Sequence, residues 1–196
     1  MACSVPLSPQ ALRLVWSLDP AAFLREFEVS PVLGHFVLPL YLEMPEEPRY
    51  RLLERIPLLV LPEWREDEPR RAYAAADCAI RRALPLALVG AGLMDSEAFH
   101  YLLNLHPIED RETAHLALLA AWDACVTLAR HDSPLPNRSA ALEARDAATD
   151  AHWGGGRGSW ALACAHHAAM AVTHCARTAS STAWEIGFQC LDQMVA

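Results

Sequence analysis

The sequence comprises 196 residues, of which 53% are hydrophobic and 20% are charged, and its formal net charge is −8. This composition predicts a packed core and excludes an intrinsically disordered chain. The 16 basic residues are all arginine, which excludes chemistry that depends on lysine, such as a Schiff base or a P-loop. The acidic balance argues against non-specific binding of nucleic acid and is compatible with a basic protein partner.

No segment approaches the roughly 20 uninterrupted apolar residues that a membrane-spanning helix needs. The longest apolar run, ALPLALVGAGLM from Ala83 to Met94, contains a proline and two glycines. The first residues, MACSVPLSPQ, carry neither the basic region nor the apolar region of a secretory signal. We therefore expect a cytoplasmic protein without membrane contact. The six cysteines form no C-x-x-C pair, so we expect reduced thiols.

The composition changes near residue 70. All 14 prolines lie within residues 1–136, most of them before Arg70, whereas only four of the 35 alanines precede Arg70. We predict one helical domain spanning residues 1–196. Within it, residues 1–70 form a proline-punctuated N-terminal segment and residues 71–196 form an alanine-rich helical core.

In the first third, a Ser-Pro pair at residues 8–9 and an Asp-Pro pair at residues 19–20 are typical of helix starts. Residues 31–44, PVLGHFVLPLYLEM, are expected to form a helix that is interrupted near Gly34 and Pro39. Residues 55–64, RIPLLVLPEW, are the one β-like apolar run, and prolines bracket it.

The remainder of the chain carries helix signals of several kinds. Helices are expected after Pro69, from residue 95 or 96, over about 108–131, over 137–153, from a Ser159 cap, and from a Thr182–Glu185 capping box. Together these elements predict an all-α protein. We expect a compact bundle or a short array of about seven to eight antiparallel helices, with HEAT-like packing as one arrangement.

The stretch from Trp160 to Cys175, WALACAHHAAMAVTHC, concentrates metal-binding residue types. At about 100° per residue, Cys164, His167, His174 and Cys175 fall within a sector of roughly 100°. His167 and His174 lie two turns apart, about 10 Å along the axis, which is too far for them to share a zinc ion. Cys164 and His167 remain as half of a metal site. We favour a packing stripe over that site and expect neither a metal nor another cofactor.

Other catalytic patterns are weak. Two E-x-x-H units, at 97–100 and 112–115, resemble di-iron ligands, but an antiparallel turn between them would set them several ångströms apart. The glycine-rich loop at 152–160 lacks the lysine and the preceding strand of phosphate-binding motifs. No G-x-S-x-G element is present. We expect a non-enzymatic protein, with a metal- or cofactor-dependent helical-bundle enzyme using His, Cys and Glu ligands as the alternative.

The segment EWREDEP, from Glu63 to Pro69, is an acidic surface stretch. It is either an ordinary solvated linker or an electrostatic contact for a basic partner. Its acidic side chains are the candidate partner-binding residues: Glu63, Glu66, Asp67 and Glu68.

Residues 72–88, AYAAADCAIRRALPLAL, are followed by the alanine-rich helices HLALLAAWDACVTLAR and ALACAHHAAMAVTHCA. Over about residues 70–180 the chain resembles a family of alanine-rich, all-helical bacterial immunity proteins. The pattern-like matches are Asp77-Cys78-Ala79 and Leu84-Pro85-Leu86. The resemblance implies a small protein that neutralises a toxin by binding it, and it carries over no site residue.

We therefore expect a protein-binding helical module, such as a toxin-neutralising immunity protein or an accessory subunit of a bacterial toxin or defence system. A structural subunit of a larger phage-related or defence complex is the second alternative. Direct binding of nucleic acid is not expected.

Overall fold

A computed structural model describes residues 8–27, 29–60 and 67–196. Every regular element in these residues is helical, so the protein is all-α. The helices are α1 (Pro9–Leu18), α2 (Pro20–Glu26), α3 (Pro31–Glu43), α4 (Glu46–Leu53), α5 (Glu68–Cys78), α6 (Leu84–Gly90), α7 (Glu97–Leu103), α8 (Arg111–Arg130), α9 (Leu135–Gly154), α10 (Gly158–Ala176) and α11 (Ser180–Val195). No helix in this part of the chain is long and apolar enough to cross a membrane.

Helices α5 and α6 form one continuous helix, because a π-helical turn at Ala79–Ala83 joins them. Pro85 lies just after this turn and has no N–H to give to the preceding turn. The N–H of Leu84 donates to the carbonyl of Ala79, five residues earlier, which is the wider spacing of a π-turn. The π-turn thus lets the helix continue past a proline that would otherwise break it.

With that helix counted once, the described residues contain ten helices rather than the seven to eight predicted. The eight-residue α4 was missed because EEPRYRLL has no apolar periodicity. Helix α3 is not interrupted, so the prediction of a break near Gly34 and Pro39 is wrong. A Cβ at Gly34 would lie 3.2 Å from the Leu24 side chain, so the glycine serves the packing of α2 against α3.

Capping predictions had mixed outcomes. The side chains of Ser8 and Asp19 accept hydrogen bonds from the N–H groups of Ala11 and Ala22, at 3.2 and 2.9 Å, as predicted. The predicted cap at Ser159 is wrong, because α10 begins at Gly158 without a side-chain cap. The predicted Thr182–Glu185 capping box is also wrong, since α11 begins at Ser180 with no capping bond. The β-like run begins with a 3-10 turn, Ile56–Leu59, and its residues 61–64 lie outside the described ranges.

Four helices lie side by side in the order α8, α9, α10, α3. The continuous α5–α6 helix packs across α9 and α10, and α11 packs against α5 and α10. Alanine dominates the contacts among α8, α9 and α10, because its small side chain lets helix axes approach to about 8 Å. The fully buried alanines of α9 and α10 include Ala144, Ala147, Ala148, Ala165, Ala168 and Ala169.

The described cysteines are free thiols, and four of the five are buried. Cys164 and Cys175 on α10 donate hydrogen bonds to the carbonyls of Ala72 and Ala83, both at 3.2 Å. Burial raises the pKa of both thiols, that of Cys175 to about 12. These thiols are therefore favoured in the protonated form, and their hydrogen bonds fasten α10 to the α5–α6 helix.

Candidate functional site

The two residues of the predicted half-site, Cys164 and His167, point to different partners. Cys164 is buried and donates to the carbonyl of Ala72, as described above. His167 faces α9, where its Nδ1 donates to the Glu143 carboxylate at 2.7 Å. Its Nε2 lies 3.8 Å from Oδ2 of Asp150. Within the described ranges, no three His, Cys, Asp or Glu side chains lie close enough together to hold a metal ion.

Glu143, His167 and Asp150 form a half-buried charged cluster between α9 and α10. The hydrogen bond to Glu143 raises the pKa of His167, and this outweighs the opposing effect of burial. Burial of Glu143 opposes its ionisation, but the hydrogen bond and the charge of His167 lower its pKa overall. The pairing thus favours the protonated form of His167 and the ionised form of Glu143, and it holds α10 against α9.

Asp150 is the member of this cluster whose ionisation destabilises the fold. Its side chain is only 11% exposed, and Oδ2 has no hydrogen-bond partner. Burial raises the pKa of Asp150 to about 6, although the charge of His167 pulls in the other direction. A buried carboxylate oxygen without a hydrogen bond destabilises the fold when the group is ionised.

The two E-x-x-H units do not meet. Glu97 and His100 border a polar groove between α7 and α8, where Asp123 is the facing acid. The His115 ring instead packs on His152 of α9, with 4.8 Å between the ring centroids.

The glycine-rich loop between α9 and α10 is fixed by packing. Gly155 ends α9 in the left-handed conformation, with φ at 55°. Gly156 has φ at 68°, and a Cβ there would lie 2.8 Å from both Cα and the carbonyl oxygen of Pro69. These glycines allow the loop to approach the start of α5.

Of the candidate partner-binding residues, Glu63 and Glu66 lie outside the described ranges. Asp67 is half exposed and lies 3.4 Å from the guanidinium of Arg71. Glu68 is largely internal: it accepts hydrogen bonds from the Ser30 hydroxyl, from the N–H of Val32 at 3.1 Å and from Arg71 at 3.1 Å. Glu68 therefore caps α3 and neutralises a buried arginine, which gives it a structural role.

The solvent-facing side of α8 carries large apolar residues beside the polar Glu112, His115 and Asp123. At about 100° per residue, Leu119, Trp122 and Val126 fall within a sector of roughly 60°. The side chains of Leu119 and Trp122 are 50% and 51% exposed. The buried side of the same helix carries alanines, among them Ala117, Ala121 and Ala124. Helix α8 therefore presents several large apolar residues to solvent, whereas its buried side is mostly alanine, together with Leu128.

Helix α9 extends this apolar surface. The Arg145 guanidinium lies 4.7 Å from the centroid of the Trp122 ring, and His152 packs on His115. These two contacts fix the antiparallel register, and that register places the exposed Leu142 beside Val126. We call Leu119, Trp122, Val126 and Leu142 the outer face. The outer face was not predicted, although the spacing 119, 122, 126 places these residues on one side of a helix.

In comparisons with protein-family models, with curated proteins and with solved structures, the chain has no match.

Proposed function

We propose that the chain is a non-enzymatic protein-binding module that contacts its partner through the outer face. The observation that carries this proposal is the exposed stripe of Leu119, Trp122 and Val126 on α8. Large apolar side chains that lie next to one another and are about half exposed are typical of interaction sites. Tryptophan and arginine are the residues most enriched among those that dominate binding energy, and here Trp122 is already stacked on Arg145.

The partner is proposed to be a basic protein, because the chain has a net charge of −8. Complementary charge accelerates encounter, whereas apolar anchors supply most of the affinity. Asp67 is half exposed and supports a peripheral electrostatic contact. The acidic segment thus remains a predicted second contact, with the outer face as the main one.

The resemblance to bacterial immunity proteins supports a specific role. In this role the chain neutralises a toxin, or accompanies a toxin or defence assembly as an accessory subunit, in the cytoplasm. The side-by-side packing of α8, α9, α10 and α3 is compatible with a HEAT-like array, which would present the outer face at the end of the layer.

The test is in-cell cross-linking and co-purification of the tagged chain from cells that naturally carry it. Leu119→Asp is compared with Leu58→Asp, because these leucines are 50% and 51% exposed. The first substitution is expected to abolish recovery of a stoichiometric protein partner, and the second to leave it intact. Both variants are checked for unchanged thermal unfolding.

The captured protein is then expressed alone and together with this chain. Growth arrest by the partner, relieved by the wild-type chain and not by Leu119→Asp, would support the immunity role. Equal recovery of the partner with both aspartate variants would contradict binding through the outer face. Absence of any stoichiometric partner would contradict the protein-binding function as a whole.

A further inference from the structure

A groove of about 580 Å³ opens between α2, α3 and α10. Aliphatic side chains form most of its wall, including Leu24, Val29, Leu38, Leu42 and Met170. Sites for small ligands are usually concave, mostly apolar and about 300–1,000 Å³ in volume, with a few polar groups that orient the ligand. The groove fits this description, and none of its wall belongs to the outer face.

The polar groups that border the groove are unbalanced in charge. Arg25, His35 and His166 are basic, and Glu43 is the one acid of the described lining. Glu43 already lies 3.8 Å from the guanidinium of Arg177, so its charge is compensated. Among the described residues, no ion pair involves Arg25.

The two histidines add hydrogen-bond donors to the same groove. Burial and the nearby charge of His166 lower the pKa of His35, which favours its neutral ring, and a neutral imidazole still donates one N–H. A carboxylate in the groove would accept that N–H and would also pair with the charged Arg25. The concentration of basic groups at one groove is notable because the chain as a whole has a net charge of −8.

We propose that this groove binds a free medium-chain fatty acid. The aliphatic tail lies along Leu38, Leu42 and Met170, and the carboxylate lies among Arg25, His35 and His166. An apolar wall alone would accept any hydrophobic molecule, and the Arg25 guanidinium together with the two imidazole donors selects the anionic one. This site is separate from the proposed protein-binding function, and either can fail without the other.

The test is isothermal titration calorimetry of the full chain with dodecanoate at pH 7, below the concentration at which it forms micelles. Dodecanol and dodecyltrimethylammonium, which share the tail, are the matched ligands. One dodecanoate per chain is expected to bind. Its affinity should exceed that of the other two by about tenfold, the effect of a charge-assisted hydrogen bond.

Two variants locate the site. Arg25→Gln is expected to weaken dodecanoate binding by about three- to tenfold and to leave dodecanol binding unchanged, whereas the exposed Arg130→Gln is the matched control that changes neither. Leu42→Glu places a carboxylate on the exposed rim of the groove and should repel dodecanoate more than dodecanol. All three positions are at the surface, so the variants are expected to fold.

Several results would overturn the proposal. Equal affinity for the three amphiphiles would show that the basic groups do not select the ligand. Undiminished dodecanoate binding by both Arg25→Gln and Leu42→Glu would place the ligand elsewhere, and no measurable dodecanoate binding would refute a fatty-acid site.

Discussion

Asp150→Asn is expected to stabilise the protein in a pH-dependent manner. Burial raises the pKa of Asp150 from its ordinary value of 3.8 to about 6, a difference of about two units. Each unit corresponds to about 1.4 kcal/mol, so ionising Asp150 in the folded state costs about 3 kcal/mol at pH 8. This shift already includes the attraction of His167. Asparagine removes the cost of the charge but still buries a polar amide, which leaves a net gain of about 2 kcal/mol.

The sign of the pH dependence follows from the direction of the shift. The folded state binds the Asp150 proton more tightly than the unfolded state. The contribution of Asp150 to the free energy of unfolding of the wild type therefore falls as the pH rises from about 4 to about 6. The asparagine variant lacks this fall. Its free energy of unfolding should exceed that of the wild type by less than about 0.5 kcal/mol at pH 4 and by the full difference above pH 7.

Urea denaturation at intervals from pH 4 to pH 9 measures this difference. For a chain of this length, a gain of about 2 kcal/mol corresponds to about 4–8 °C in Tm. Asp146→Asn, the same substitution one turn earlier, is the control: its carboxylate bonds to Arg145 at 2.6 Å, so the variant should gain no stability. A loss of stability in Asp150→Asn at pH 8, or a gain that is independent of pH, would refute the reasoning.

The remaining predictions concern stability and metal content. Glu68→Gln should lower the free energy of unfolding by about 2–3 kcal/mol, because it leaves a buried arginine undercompensated; urea denaturation measures this loss. Gly156→Ala should cost about 3 kcal/mol by the same assay, since a positive φ and a clash with backbone act together. His167→Gln should leave the metal content unchanged in elemental analysis of protein purified without chelators, because a carboxylate accepts its Nδ1–H.

Matched controls accompany these changes. Glu109→Gln, in the exposed loop before α8, should change the free energy of unfolding by less than about 0.5 kcal/mol. Gly92 has a similar φ of 73°, but a Cβ there would have nothing within 4 Å. Gly92→Ala should therefore lower the free energy of unfolding by only about 1 kcal/mol. Equal costs at Gly92 and Gly156 would contradict the packing role of the loop. Stoichiometric metal that disappears in His167→Gln would revive the enzyme alternative.

Local signals in the sequence were sufficient to predict the helical class. Ser8 and Asp19 cap their helices through side-chain bonds that span only three residues, and such bonds depend little on tertiary structure. The prediction at Pro39 was wrong because it also rested on the local sequence alone. The expectation that proline interrupts a helix takes account of that helix alone, whereas α3 is held by its packing against α10.

The site was harder to predict because it depends on register between helices. His167 meets Glu143, 24 residues earlier, and that pairing depends on where the glycine loop turns the chain. The outer face was missed for a different reason. Size and hydrophobicity normally mark the buried side of a helix, but α8 buries alanines such as Ala121 and exposes Trp122.

The most direct test of the protein-binding account is hydrogen–deuterium exchange of the chain, free and saturated with its co-purified partner. The account predicts that the partner slows exchange in residues 119–126 of α8 and 142–149 of α9. It also predicts that the groove-lining segment of α3 is unchanged. Protection confined to α3 or α11, with α8 and α9 exchanging as in the free chain, would contradict the assignment of the outer face as the binding surface.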